Sequence, residues 1–365
     1  MKQADIIKHG IIYRNLETPF QYHGWPSVCK LDDGALAAVW SGFRVAHVCP
    51  YGKTAMSISK DEGETWCPPM IVNDTALDDR DAGILNLRDG KLLITWFCHP
   101  KKWMIETALP ESDYLPVERL ALYEAYVGYY NTLTEEQGKG GSFVRTSADN
   151  GVTWGETILV PVSSPHGPTL LADGSILYLG IKLFTDEDKG DVAAYVSIDN
   201  GLTWGHRSTL QMPRDIPGDF FHEPHCVQLP SGRLLGALRV HGEDYFSVYL
   251  THSDDMGKTW SVPKPLIPEG SVKKVCGSPP HLLVHSTGAV ICSIGRREDP
   301  WGERVLVSHD EGKTWEEQIL RDDSSTGDLG YPASVELSDG SVLTVYYQRA
   351  AQDITTSVLY TKWKL

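Results

Sequence analysis

Apolar stretches along this chain come in pairs, and a short polar turn that contains glycine separates the two members of each pair. Two apolar runs joined by Asp-Gly or a similar turn are among the stronger local signals for a β-hairpin. The pairs span 26–40, 82–97, 168–180, 224–240, 280–295 and 332–347, with turns at Asp33-Gly34, Asp89-Gly90, Asp173-Gly174, Ser231-Gly232, Thr287-Gly288 and Asp339-Gly340. The pattern therefore predicts an all-β protein of six similar units, each of which begins with a hairpin.

A second motif, Ser-x-Asp-x-Gly-x-Thr-Trp, follows five of the six hairpins. Its copies begin at Ser59, Ser147, Ser197, Ser253 and Ser308. The Asp can accept hydrogen bonds from nearby backbone N–H groups, the Gly supplies a positive φ, and the Thr returns the chain to an extended conformation. The Trp offers a large flat side chain that packs between neighbouring sheets. We expect each copy to join the third and fourth strands of its unit.

Six hairpins and five copies of this motif are reconciled if both ends of the chain complete the same unit. The last unit has strands near 332–337, 341–347 and 355–363, and the apolar stretch 6–14 can supply its fourth strand. Pairing of the first and last strands also protects the edges that an open sheet would expose. The predicted fold is a six-bladed β-propeller with four-stranded antiparallel blades, formed as a single domain over residues 1–365.

The second unit is longer than the others because of an insertion over about residues 100–141. The segment 115–126 is compatible with a helix, and Pro116 suits a first helical turn. The insertion is also rich in tyrosine, with Tyr114, Tyr123, Tyr126, Tyr129 and Tyr130. A lid, a contact between subunits of a homo-oligomer and a plain surface insertion are all compatible with this pattern.

Composition narrows the possible partners. The formal net charge is −15, which argues against nucleic acid as a partner because such proteins need a basic face. A few arginines in a cleft can still attract an anionic small molecule. The seven cysteines have no metal-type spacing, the N-terminus lacks the plan of a signal peptide, and no apolar run is long enough to span a membrane. These features predict a cytoplasmic protein without cofactor, metal or membrane partner.

Polar and charged residues cluster where first strands begin and second strands end. Both points lie on the face opposite the Trp-containing turns, so these side chains are predicted to surround one pocket on the propeller axis. From the strand starts come His23, Trp25, Asp79, Arg80, Asp81, His166, His222, Glu223, His225, Ser278, Asp328 and Tyr331. From the second-strand ends come Arg44, His99, Lys182, Arg239, Arg296, Arg297, Gln348 and Arg349.

The repeated Trp turns resemble the Asp boxes of sialidases (neuraminidases), and the resemblance covers nearly the whole chain at the level of the repeat. Asp boxes also occur in propellers that are not sialidases. The family uses a Tyr nucleophile assisted by a Glu, three Arg that hold the substrate carboxylate, and an Asp acid/base. Glu223 resembles the family's Glu, Arg239 its second Arg and Tyr331 its nucleophile, while Arg297 or Arg304 could represent the third Arg.

The chain departs from the family pattern at two positions. Where the family has Arg-Ile-Pro at the start of the first blade, this chain has Gly24-Trp25-Pro26, and Arg44 is the candidate substitute. The loop 45–54, where the family's acid/base Asp is expected, contains no carboxylate, so that Asp79 and Asp81 are the nearest candidates.

These residues predict a glycoside hydrolase that acts on an acidic or sialic-acid-like sugar. A phenol has a pKa of about 10 and attacks poorly unless a carboxylate takes its proton, which fits Tyr331 beside Glu223. Asp81 or Asp79 would donate a proton to the leaving oxygen. The residues predicted to bind the sugar are Arg44, Arg80, Arg239, Arg297, His23, His166, His222 and Arg349.

Four alternatives stay open. Tyr331 could be a rim aromatic, and Glu223 could form a structural ion pair with Arg239. The histidines could supply the base of another glycosidase or of a polysaccharide lyase. The propeller could also bind glycans without catalysis.

Overall fold

The computed structural model describes residues 2–108, 117–184, 189–242, 245–267, 279–350, 353 and 355–365. It shows six antiparallel sheets arranged as the blades of a propeller. The predicted position Ser278 and the predicted helix start at 115–116 lie outside the described residues.

Both ends of the chain enter the ring, as the hairpin count predicted. The chain begins with strands β1 (Lys2–Gln3) and β2 (Asp5–Tyr13). Strand β2 pairs antiparallel with the last strand of the chain and completes blade 6. Strand β1 adds in parallel to the outer edge of blade 5, which therefore has five strands where four were predicted.

The first three blades follow in chain order. Blade 1 contains β3 (Tyr22–Lys30), β4 (Leu36–Arg44), β5 (Lys53–Ser59) and β6 (Met70–Asn73). Blade 2 contains β7 (Arg80–Arg88), β8 (Lys91–Cys98), β9 (Gly141–Ser147) and β10 (Ile158–Val160). Blade 3 contains β11 (Thr169–Leu170), β12 (Ile176–Ile181), β13 (Val192–Ser197) and β14 (Gly205–Thr209).

The remaining blades complete the ring. Blade 4 contains β15 (Phe221–Gln228), β16 (Leu234–Gly242), β17 (Tyr245–Ser253) and β18 (Lys264–Pro265), preceded by a 3₁₀ turn at Gly218–Phe220. Blade 5 contains β19 (His281–Val284), β20 (Val290–Arg296), β21 (Gly302–Ser308) and β22 (Glu316–Arg321). Blade 6 contains β23 (Gly330–Glu336), β24 (Val342–Gln348) and β25 (Ser357–Lys364) besides β2.

The Asp boxes join third to fourth strands, as predicted, and they also tie neighbouring blades together. In the first copy Asp61 accepts hydrogen bonds from the backbone N–H and the hydroxyl of Thr65, at 2.8 and 2.5 Å. Gly63 has a φ of +88°, and a Cβ at this position would lie 2.3 Å from the side chain of Leu343 in blade 6. Glycine is therefore required both for the turn and for the close contact between blades.

The blade 2 insertion packs against the body of the propeller. It contains a short α1 (Lys101–Trp103), a π-helical turn (Met104–Ala108) and α2 (Val117–Tyr130). Tyr123 and Tyr130 are fully buried in the core cluster shared by blades 1 and 2. The ring of Tyr51 in blade 1 lies 4.4 Å from that of Tyr126. The hydroxyl of Tyr51 also donates to the backbone carbonyl of Leu122, so the helix packs on the loop between β4 and β5 and on the core of these two blades. No described helix is long and apolar enough to cross a membrane.

Candidate active site

The innermost strands of four blades carry the same backbone irregularity at their upper ends. The residues with positive φ there are Trp25 (54°), Asp81 (53°), Glu223 (47°) and Tyr331 (52°). In each strand the pairing register with the second strand of the blade shifts at this point. Each irregularity is therefore a β-bulge of the kind that redirects a side chain near a functional site.

A positive φ is unfavourable for residues of this size and costs about 1–3 kcal/mol at each position. The corresponding residue in blade 3 is Gly167, with a φ of +76°. The same strain recurs in four blades, at two acids, a phenol and an indole. This recurrence indicates that the four side chains serve one site at the axis.

Tyr331, Glu223 and Arg239 form one hydrogen-bonded unit across blades 6 and 4. The phenol of Tyr331 donates a short hydrogen bond to Oε1 of Glu223. Nη1 of Arg239 donates to Oε2 of the same carboxylate at 2.7 Å, and Nη2 of Arg239 lies 3.0 Å from Nδ1 of His241. The ion pair between Glu223 and Arg239 therefore exists together with the Tyr331 contact.

The protonation states of this unit follow from its surroundings. Burial alone would raise the pKa of Glu223, but the charge of Arg239 and the hydrogen bonds from Tyr331 and Arg239 outweigh it, and the pKa lies below its ordinary value. Burial and the charge of Glu223 raise the pKa of Tyr331 well above its ordinary value. An ionised carboxylate thus accepts a hydrogen bond from a neutral phenol, which is the resting state that a Tyr nucleophile with a Glu base requires.

Asp81 and Glu223 line one small cavity of about 280 Å³ next to this unit. Its wall consists of Asp81, Phe97, His99, Ser163, Ser164, Pro165, Ile181, Leu183, His222, Glu223, Arg239 and His241. Burial raises the pKa of Asp81 to about 7; the charge of Arg80 opposes this rise, whereas that of Glu223 adds to it. Oδ1 of Asp81 is buried and receives no hydrogen bond from the described residues, so that little stabilises the ionised form. Asp81 thus lies in the cavity wall with a carboxyl group that is partly protonated near neutral pH.

Asp79, the other candidate acid, lies outside this cavity. It is fully buried, and its two oxygens accept hydrogen bonds from the backbone N–H (2.9 Å) and the hydroxyl (2.6 Å) of Thr75. The thiol of Cys98 donates to it at 3.3 Å. Burial raises the pKa of Asp79 to about 7, although these hydrogen bonds oppose the rise. The geometry indicates a structural carboxyl group rather than a proton donor to substrate.

This raised pKa makes a prediction about stability. Folded protein binds the proton of Asp79 more tightly than unfolded protein, so the contribution of this group is fully present below about pH 4 and is lost as pH rises through about 7. The variant Asp79→Asn should reduce the fall in the free energy of unfolding between about pH 5 and 8 by a few kcal/mol, measured by urea denaturation. Asp61→Asn is the control, because the pKa of Asp61 is lowered to about 2, outside that range. An unchanged pH slope in Asp79→Asn would contradict the prediction.

An aromatic cluster of Tyr22, Trp25, Tyr331 and Tyr347 supports the unit, and arginines surround it. The guanidinium groups of Arg44 and Arg80 lie 4.9 and 4.5 Å from the centroid of the Trp25 ring, and that of Arg80 lies 6.0 Å from the Phe97 ring. The guanidinium of Arg297 lies 5.8 Å from the Tyr331 ring centroid. Two arginines thus pack on the indole of Trp25, next to the position where the family pattern has its first Arg.

Several residues predicted to bind the sugar take other positions. Arg44 is fully buried in an ion pair with Asp78, at 2.5 and 2.8 Å. His23 is fully buried, and its Nδ1 accepts a hydrogen bond from the indole N–H of Trp40 at 3.2 Å. These contacts argue against substrate binding by either residue. His222 lies in the cavity wall as expected.

Arg349 and His166 also lie away from the Asp81–Glu223 cavity. Arg349 lines a separate cavity of about 230 Å³ with Tyr22, His47, Arg119 and Asp328. Asp328 in turn accepts hydrogen bonds from Tyr22 and from Tyr347, both at 2.9 Å at the closest. His166 lines a larger cavity lower on the axis.

Phe97 and His241 are part of the cavity wall, although the sequence did not predict them as site residues. Both stand at the upper ends of second strands. His241 lies two residues beyond Arg239 on β16, and alternation along a strand places such residues on one face. The two-residue spacing from Arg239 was the signal in the sequence that could have identified His241 as a site residue. Among the described residues no group of His, Cys, Asp and Glu is arranged to hold a metal ion.

The ring of six blades with five Asp boxes, and with this unit at its upper end, defines a propeller of the sialidase-like class. The model of the BNR repeat-like domain matches residues 114–345, which is more than half of the chain. The protein therefore belongs to the BNR repeat-like domain family. A search of curated protein sequences found no match.

Solved structures support the same fold. A protein of unknown function from Dyadobacter fermentans is 21% identical, with full coverage of both chains and a TM-score of 0.78. The NanB sialidase of Streptococcus pneumoniae is 13% identical over 97% of this chain and 70% of its own, with a TM-score of 0.69. An α-L-arabinofuranosidase of Fusarium graminearum is 12% identical over 100% and 98%, with a TM-score of 0.61.

Proposed function

We propose that this protein is a retaining exo-glycoside hydrolase that cleaves an acidic, sialic-acid-like sugar from the end of a glycan. The observation that carries the proposal is the hydrogen-bonded Tyr331–Glu223–Arg239 unit beside the protonatable Asp81. The backbone is strained, with a positive φ, at Tyr331, Glu223 and Asp81. Strain of this kind accumulates at functional sites.

The mechanism uses each group once in each half of the reaction. Glu223 takes the proton of Tyr331 as the phenol oxygen attacks the anomeric carbon, and Asp81 donates its proton to the departing oxygen. This step forms a covalent glycosyl–tyrosine intermediate. Asp81, now ionised, takes a proton from the incoming water as the water oxygen displaces the tyrosine oxygen, and Glu223 returns its proton to the departing phenolate of Tyr331. Two displacements at one carbon retain its configuration.

The size of the cavity favours a single sugar unit. Cavities for drug-sized ligands have volumes of about 300–1,000 Å³, and the Asp81–Glu223 cavity, at about 280 Å³, is at the lower end. A terminal sugar that enters this cavity leaves the rest of the glycan outside, which corresponds to exo cleavage.

Local charge favours an anionic sugar. The arginines around the aromatic cluster are Arg44, Arg80, Arg239 and Arg297. Among the described residues, the carboxylates in contact with these arginines or with the cluster are Asp78, Glu223 and Asp328. With Asp81 protonated, four positive charges face three negative ones. A buried site with an excess of positive charge attracts a carboxylate even in a protein whose net charge is −15.

A panel of aryl glycosides tests this function. We expect release of the aryl group from α-sialosides or β-glucuronides, and none above background from α-L-arabinofuranosides or β-galactosides. Turnover of neutral glycosides alone would contradict the acidic-sugar assignment. An unsaturated uronic acid product would indicate a lyase, and saturable binding without turnover would indicate a glycan-binding propeller. The Tyr331→Phe variant, purified in parallel, controls for contaminating glycosidases.

A further inference from the structure

Three histidines from three adjacent blades line a second cavity on the propeller axis. His225 lies two residues beyond Glu223 on β15, His281 begins β19, and His166 precedes β11. Their ring centroids are 4.4 Å apart for His225 and His281, 5.0 Å for His166 and His281, and 5.8 Å for His166 and His225. The cavity has a volume of about 1070 Å³ and extends to the turns at Gly34 and Gly174.

Hydrogen bonds fix which nitrogen of two of these rings carries the proton. Nδ1 of His225 accepts the backbone N–H of Leu282 at 3.0 Å, and Nδ1 of His281 accepts that of Ser334 at 3.3 Å. A backbone N–H can only donate, so both Nδ1 atoms are unprotonated and both Nε2 atoms carry hydrogen. Each of these two rings therefore has one N–H donor left for a group in the cavity.

The third ring, that of His166, has both of its nitrogens free of described partners and able to hydrogen-bond with a ligand. His166 is 3% exposed, and both of its ring nitrogens are buried without a hydrogen-bond partner among the described residues. A buried polar group without a partner is unfavourable, and native proteins rarely leave one unexplained. A neutral imidazole can donate from either nitrogen, so His166 can add a third donor to the other two.

The same hydrogen bonds argue against a metal ion. A neutral histidine binds a metal through its unprotonated nitrogen, and in His225 and His281 that nitrogen is already occupied by a backbone N–H. The ligand that suits this cluster must accept hydrogen bonds.

Among the described residues, no carboxylate acts on the three histidine rings. The equivalent positions in the other blades, two residues beyond each bulge, are Ser27, Gly83, Thr169 and Ala333. Burial lowers the pKa of all three histidines, neighbouring imidazoles lower those of His166 and His281 further, and no described carboxylate raises any of them. The charged residues that line the cavity, Lys30, Asp32 and Arg88, belong to its wall near the hairpin turns and not to the histidine cluster. A cluster of several N–H donors with no described carboxylate beside it is suited to an anion.

We propose that His166, His225 and His281 form a binding site for a small inorganic anion of halide size on the propeller axis. The anion accepts hydrogen bonds from Nε2 of His225 and His281 and from one nitrogen of His166. The site is separate from the Asp81–Glu223 cavity, and the proposal does not depend on glycosidase activity.

Bromide is the probe, because its anomalous scattering distinguishes it from water. Crystals of the full chain soaked in sodium bromide should show an anomalous peak within hydrogen-bond distance of Nε2 of His225 and His281. In solution, bromide binding followed by ⁸¹Br NMR line broadening should weaken at least about tenfold in His166→Leu, because one hydrogen bond to a charged ligand is lost. The His166 ring has no hydrogen-bond partner among the described residues, so this substitution removes none of the hydrogen bonds that the structure shows.

Arg88→Ala is the matched control, since Arg88 lines the open end of the same cavity and its side chain is 70% exposed. Bromide binding that survives in Arg88→Ala and weakens in His166→Leu supports the site. Electron density for water only, or a peak that depends on Arg88 and thus marks an adventitious ion only, overturns it. If His166→Leu does not fold, the anomalous map of the unmodified protein decides by itself.

Discussion

Replacing Tyr331 with Phe should lower kcat by at least about a thousandfold while leaving the fold intact, because the variant lacks the oxygen that attacks the anomeric carbon. The ring of Tyr331 keeps its packing against Trp25 and Tyr347, at centroid distances of 6.3 and 6.0 Å. Glu223→Gln should cause a loss of similar size, since an amide cannot take the phenolic proton. Steady-state kinetics on the substrate identified by the glycoside panel, with circular dichroism to check folding, measure both effects.

Tyr347→Phe is the matched control for this experiment. Tyr347 belongs to the same aromatic cluster and also loses a hydroxyl, which bonds to Asp328 at 2.9 Å rather than to Glu223. The hydroxyl of Tyr347 also accepts a hydrogen bond from Nη2 of Arg297 at 3.1 Å. We expect kcat to stay within about tenfold of the unmodified protein, because neither of the two lost hydrogen bonds involves Tyr331 or Glu223. Equal losses in Tyr331→Phe and Tyr347→Phe would contradict a special role for Tyr331.

Replacing Asp81 with Asn should have the second largest effect, and its size should depend on the leaving group. For glycosides with a sugar or alkyl leaving group, loss of a general acid should lower kcat by about 10²–10⁴-fold. Aryl glycosides whose phenol leaves without protonation should lose far less. The unmodified enzyme should also lose activity with sugar leaving groups as pH rises above about 7, because Asp81, with a pKa of about 7, then gives up its proton.

Asp79→Asn provides the control for Asp81→Asn. The pKa of Asp79 is also raised to about 7, but Asp79 lies outside the cavity, where it accepts hydrogen bonds from Thr75. It should show the same dependence on leaving group and on pH as the unmodified enzyme. If Asp81→Asn lowers kcat equally for both kinds of leaving group, or keeps the decline above pH 7, Asp81 is not the acid.

The fold was predictable because its signals repeat. Six glycine turns and five Asp boxes act locally, and each copy confirms the interpretation of the others. The pairing of β2 with β25 followed from the missing sixth box. The pairing of β1 with blade 5 was not predicted, since two residues, Lys2 and Gln3, carry no periodic signal and pair only because the ring brings β22 beside them.

The sequence predicted which strand ends form the site, but it predicted only in part which way each side chain there points. Glu223 and Tyr331 each precede a proline at a strand start, and both point to the axis. His23 and Trp25 are two residues apart and would share a face on a regular strand. The bulge at Trp25 breaks this alternation, so that His23 lies against Trp40 instead. Arg44 could not be placed either, because its partner Asp78 comes from the next blade.

The covalent intermediate on Tyr331 is the central claim, and mass spectrometry tests it most directly. A glycosyl fluoride of the preferred sugar, with fluorine on the neighbouring carbon to slow hydrolysis, should add one glycosyl unit to the intact protein. Peptide mapping should place this unit on Tyr331, and Tyr331→Phe should remain unlabelled. Turnover without any adduct, or an adduct on Asp81 or Glu223 that persists in Tyr331→Phe, would contradict the proposed mechanism.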